Sequence, residues 1–91
     1  MEVEISKIFN IDISSISDSK EHEQLSINNC EIDINKIPNY TQNLGNYKTI
    51  FFGNVSFKQF NLYKILKGFG KINNNQLNIS SNIIFYNCDI L

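Results

Sequence analysis

Few side chains in this 91-residue chain are arranged to do chemistry. Its one histidine, His22, sits between Glu21 and Glu23 in a polar stretch, which offers fewer ligands than a metal site needs. Cys30 and Cys88 are too few for a disulfide framework, match no zinc spacing and have no histidine in a context that would make either a nucleophile. They read as reduced packing residues. Gly68-Phe69-Gly70 lacks the third glycine and the following helix of a phosphate loop. No catalytic residue, cofactor site, metal site or small-molecule substrate is therefore expected, and the chain reads as non-enzymatic.

A second set of residues points to binding. From Met1 to Asp33 eight acids face two lysines, whereas from Ile34 to Cys88 there are six lysines and no acid. Ten of the eleven aromatic residues fall in that basic part. Aromatic rings that stack bases beside lysines that track phosphates are the machinery of single-strand nucleic-acid binders. Within segment 48–71 the residues singled out for this role are Lys58, Tyr63, Lys64, Lys67, Phe69 and Lys71. The same rings would serve as a core, with the lysines as its solvated edge or as partners of the acidic third. The absence of arginine removes the usual bidentate phosphate contact.

The elements that would position these residues are mostly strands. Val3, Ile5, Ile11 and Ile13 suggest a strand over Met1 to Ile13, broken near Lys7 to Asn10, with an amphipathic helix as the alternative because Ile5 and Ile8 fit a spacing of three. Ser14 to Gln24 is polar and supports one helical turn or a loop. Leu25 to Ile34 alternates but changes parity, so a bulge or bend is expected at Asn28-Asn29. Pro38 ends that strand, and Asn39 to Tyr47 reads as loop or a single helical turn. Lys48 to Phe57 is β-branched and aromatic around Gly53-Asn54, one bulged strand or two short ones. Lys58 to Leu62 reads as a short helical turn or a connector, Tyr63 to Ile72 as a strand and Asn73 to Gln76 as a turn, after which Leu77 and Ile79 restart the alternation and Ile83 to Ile90 forms the last strand. The best hairpin lies between Tyr63 and Tyr86. A single small domain over residues 1–91 is expected, mainly β: a five-stranded barrel or twisted antiparallel sheet with little helix.

Two resemblances add to this. Tyr63, Ile65, Gly68, Gly70, Lys71-Ile72, the Asn73 to Gln76 turn and Leu77-Ile79 resemble the fourth and fifth strands of the OB fold. That likeness spans the C-terminal half and implies a small barrel that binds single-stranded nucleic acid or serves as an assembly subunit. The hexads IFNIDI, INNCEI, FGNVSF and FYNCDI, with Asn at 10, 29, 54 and 87, resemble instead the strand of a leucine-rich repeat or a coil of a parallel β-helix. The implied alternative is a short solenoid fragment.

No apolar run approaches the ~20 residues that cross a bilayer, and the acidic start MEVEISK lacks the basic and apolar regions of a signal peptide. A soluble intracellular chain is expected, with the sequons at Asn39, Asn54 and Asn78 unused. Two functions remain: a small non-catalytic subunit docking onto other proteins in a larger assembly, or a single-stranded nucleic-acid binder acting through segment 48–71.

Overall fold

The structure is a computed structural model and describes residues 1–38 and 43–90. Strand dominates and helix is minor. An N-terminal helix α1 (Glu2–Phe9) leads through a 3-10 turn to strand β1 (Ile16–Ser19), which forms a hairpin with β2 (Gln24–Asp33). β3 (Thr49–Lys58) follows, then helix α2 (Leu62–Leu66) with a 3-10 turn at Lys67–Phe69. A small hairpin, β4 (Lys71–Asn73) with β5 (Gln76–Asn78), precedes β6 (Asn82–Tyr86) and β7 (Asp89–Ile90).

The main sheet runs β1-β2-β3-β6, with β7 continuing β6 along the same edge of β3. β1 is antiparallel to β2, but β2, β3, β6 and β7 all run parallel. The sheet does not close into a barrel, and its centre is not antiparallel, which corrects both forms of the expected fold. Parallel neighbours require crossovers rather than tight turns. Here those are residues 34–48 and the α2 segment with the β4-β5 hairpin.

Each parallel strand changes phase once, at an asparagine. In β2, Leu25 and Ile27 are buried, then Ile32; in β3, Ile50 and Phe52, then Val55 and Phe57. The shift falls at Asn29 (φ 57°) and Asn54 (φ 54°), and between β6 and β7 at Asn87 (φ 54°). A left-handed residue inserts the extra position that keeps the apolar set on one face, and asparagine tolerates that conformation better than most residues. The register Asn28 to Gly53 and Cys30 to Val55 sets Asn29 against Asn54, and Gly53 to Tyr86 with Ser56 to Asp89 sets Asn54 against Asn87. Three of the four hexads thus stack in register as a column of asparagines. The fourth differs: Asn10 is also left-handed (φ 54°), but it caps the C-terminus of α1.

The core lies on one face of the sheet. Ile5, Ile8 and Phe9 from α1 and Ile65, Leu66 and Phe69 from the α2 segment close over the inward rows of β2 and β3. Phe52, Phe57, Phe60 and Phe85 form a cluster with neighbouring ring centroids 5.2–5.8 Å apart.

Several local expectations are corrected. Met1 to Ile13 holds helix α1 because burial at 5, 8 and 9 follows the helical period, whereas Val3, which suggested alternation, is exposed. Glu2 and Glu4 in its first turn and Lys7 in its last favour the helix dipole. The polar stretch 14–24 contains β1, whose Ile16 is buried opposite Ile27. Tyr63 to Ile72 is α2 and its 3-10 turn rather than a strand, since Ile65, Leu66 and Phe69 are buried at helical spacing. Asn61 caps α2 by accepting the Lys64 N–H at 3.1 Å. The turn at Asn73 to Gln76 is confirmed: Asn74 (φ 51°) and Asn75 (φ 63°) are both left-handed, as a two-residue type I′ hairpin demands. Of the loop expected over Asn39 to Tyr47, residues 39–42 lie outside the described part; the rest has no regular element, though Leu44 is buried and its N–H reaches the Gly68 carbonyl at 2.7 Å.

Candidate functional site

The six residues singled out from the sequence are distributed over four elements. Lys58 ends β3, exposed, with its ammonium 3.8 Å from Glu31 of β2. Tyr63 and Lys64 lie on α2, Tyr63 half exposed and Lys64 half-buried beside a hollow lined by Ile34, Asn35, Gln59, Phe60 and Asn61. Lys67 and Phe69 belong to the 3-10 turn, and Lys71 is exposed on β4. Phe69 is 4% exposed, stacked on Phe9 at 6.3 Å and edge-on to Tyr47 at 6.1 Å. It is a core ring, and no face of it is open to a base.

The charge partition becomes pairing across the parallel sheet. Lys48 meets Glu23 at 3.0 Å, and Lys58 approaches Glu31, each joining the basic part to the acidic third. All four side chains are largely exposed, so each pair stabilises the fold by ~1 kcal/mol at most. Tyr47, beside Phe69, donates its hydroxyl to Asp18 at 3.0 Å. Burial, then that hydrogen bond, raises its phenol well above the usual range. Burial likewise raises the Cys30 thiol. Cys88 turns its thiol to the Phe52 carbonyl at 3.3 Å. Among the described residues no three His, Cys, Asp or Glu side chains gather where a metal ion could sit, and no helix is long and apolar enough to cross a membrane.

The surface the sequence reading missed is the sheet face opposite the core. Residues alternating with the buried rows stand there in columns: Gln24, Thr49 and Asn82; Ser26, Phe51 and Ile84; Asn28, Gly53 and Tyr86; Glu31, Ser56 and Asp89. Phe51 stacks on Tyr86 with centroids 6.2 Å apart and planes 24° apart. Gly53 makes room for this: a Cβ there would stand 2.5 Å from Asn28 Oδ1 and 2.6 Å from Phe51 Cε1. Ile84 and Tyr86 remain 43% and 62% exposed. The result is an apolar and aromatic centre at Phe51, Ile84 and Tyr86, rimmed by amides, hydroxyls and the acids Glu31 and Asp89. Its signal in the sequence is the position before each of the three stacked hexad asparagines, occupied by Asn28, Gly53 and Tyr86, but that signal means a face only once the register is known.

Comparison with protein families, with curated proteins and with solved structures finds no match to this chain.

Proposed function

We propose that this chain is a non-catalytic interaction module that docks onto another protein through the outer face of its parallel sheet. The single observation that carries the reading is the bare face itself. Parallel sheets are normally covered on both sides, yet here one side is packed by α1 and α2 while the other presents Phe51, Ile84 and Tyr86. An aromatic centre with a polar rim is the anatomy of a protein-binding surface, where tyrosine is enriched among the residues that dominate affinity. The leucine-rich-repeat or solenoid resemblance is the one carried forward with this reading. What supports it is the parallel stacking of three hexads with their asparagines aligned.

The nucleic-acid reading through 48–71 keeps Tyr63 and Lys71 at the surface but loses Phe69 to the core. Site-specific photo-crosslinking separates the two. A photoreactive phenylalanine analogue in place of Ile84 should yield a discrete protein adduct in the native source, and the same analogue in place of exposed Glu21 should not. Absence of an adduct at 84, together with salt-sensitive quenching of tyrosine emission by single-stranded DNA or RNA, would reverse the assignment.

A further inference from the structure

The far side of β6 and β7 is an unpaired strand edge. Both pair with β3, and no described strand pairs with them on the other side. Asn82 donates its N–H to the Lys48 carbonyl at 2.8 Å. In a parallel ladder the backbone groups of alternate residues turn to opposite neighbours. Asn82, Ile84 and Tyr86 therefore bond to β3, while Ile83 and Phe85 direct N–H and C=O outward. Edge strands are commonly blunted by charges or proline, yet β6 contains neither and β7 carries a single charge, Asp89.

The sheet shows twice what fits against such an edge. β3 beside β2, and β6 with β7 beside β3, each set an apolar row, a left-handed asparagine and a second apolar row against the same features of the neighbour. The asparagine contact has a direction: Asn87 Nδ2 donates to Asn54 Oδ1 at 2.5 Å, which leaves Asn87 Oδ1 as an acceptor on the amide's other arm. We infer that β6 and β7 accept an extended segment of a partner protein as a further parallel strand. The segment runs apolar, any residue, Asn, apolar, any residue, apolar, and its asparagine sits left-handed against Asn87. This rests on the protein-binding reading above and gives the partner's chemistry: main-chain bonds to Ile83 and Phe85 hold the strand, and the asparagine sets its register.

A second copy of this chain fits the edge less well. Head-to-tail addition would need the free edge of β2, but β1 occupies it from Gln24 to Ile27. What remains is antiparallel pairing, either of β6 with the outer edge of β1 or of two β6 edges about a two-fold axis, and neither sets a parallel asparagine against Asn87.

The test uses the full chain, isotopically labelled, and a synthetic peptide copying Lys48 to Lys58, KTIFFGNVSFK, which carries the pattern between two lysines. The Ile83 and Phe85 amides are expected to exchange rapidly in the free chain and to slow about tenfold or more at saturation. Asn54→Ala in the peptide should weaken binding about tenfold, because alanine resists the left-handed conformation. Shifts of Ile84 and Tyr86 side-chain signals without amide protection at Ile83 and Phe85 would place the peptide on the face, overturning the edge inference but not the docking reading. No change at any residue also overturns it, whereas the photo-adduct at position 84 reports on the docking reading separately. If Ile83 and Phe85 are already protected in the free chain and sedimentation gives a dimer, the occupant is a second copy and the inference fails.

Discussion

The left-handed asparagine at the phase change of β3 makes a prediction opposite in sign to ordinary strand propensity. Asn54 has φ 54° in the middle of the central strand, with its amide bonded to Asn87. Alanine there takes on a left-handed penalty of about 1–2 kcal/mol. Loss of the exposed amide contact adds about 0.5 kcal/mol, so Asn54→Ala should destabilise by about 2 kcal/mol. Glycine escapes the backbone penalty but loses the contact and carries extra unfolded-state entropy, about 1 kcal/mol in all. Valine, with a branched Cβ at positive φ, should be worst. The expected order of stability is Asn, then Gly, then Ala, then Val. Urea unfolding followed by circular dichroism reads this directly: with a slope of about 1 kcal/mol per M, the alanine variant's midpoint should fall by about 2 M. A strand residue of ordinary extended geometry would give the reverse order, valine above alanine above glycine. Finding that reverse order would refute the left-handed column, and with it the account of how three hexads keep one face buried.

Other substitutions test the core, the outer face and the Tyr47 contact. Phe69→Ala should cost about 3–5 kcal/mol because it removes a buried ring between Phe9 and Tyr47, whereas Tyr63→Ala should stay within about 0.5 kcal/mol; thermal melts of the two variants decide it. Gly53→Ala should cost about 1–2 kcal/mol by overpacking against Asn28 and Phe51, and ring-current shifts should show Phe51 leaving Tyr86. A phenol whose folded pKa is raised stabilises the fold fully below its unfolded value near 10, and that contribution is lost as pH rises toward the folded value. Urea midpoints should therefore fall above pH ~10, and more steeply in the parent than in Tyr47→Phe, which has no hydroxyl to ionise.

Much of the strand content was legible in order and type. The parity change from Leu25 and Ile27 to Ile32 announced the irregularity at Asn29, because one buried face forces an inserted residue. The hexads were legible as a recurring pattern, and the Asn74-Asn75 turn as an asparagine-rich break between apolar runs. Short mixed segments were not: Val3 and Ile5 imitate alternation, while Ile5, Ile8 and Phe9 obey a helical period, and only burial chooses between them. The candidate site suffered likewise. Tyr63 and Phe69 are both aromatic residues in a basic stretch, yet α2 and its 3-10 turn send one to the surface and the other into the core.

By itself, the amino-acid sequence determined a β-rich chain, the phase breaks near Asn29 and Asn54 but not the one at Asn87, and a division into acidic and basic parts. Those depend on neighbours a few residues apart. Tertiary structure decided that the strands run parallel, that Asn29, Asn54 and Asn87 align, and that Phe51, Ile84 and Tyr86 gather on an uncovered face. Strand direction and register are set by contacts between residues 25 to 33 positions apart, a separation at which local pattern carries no information.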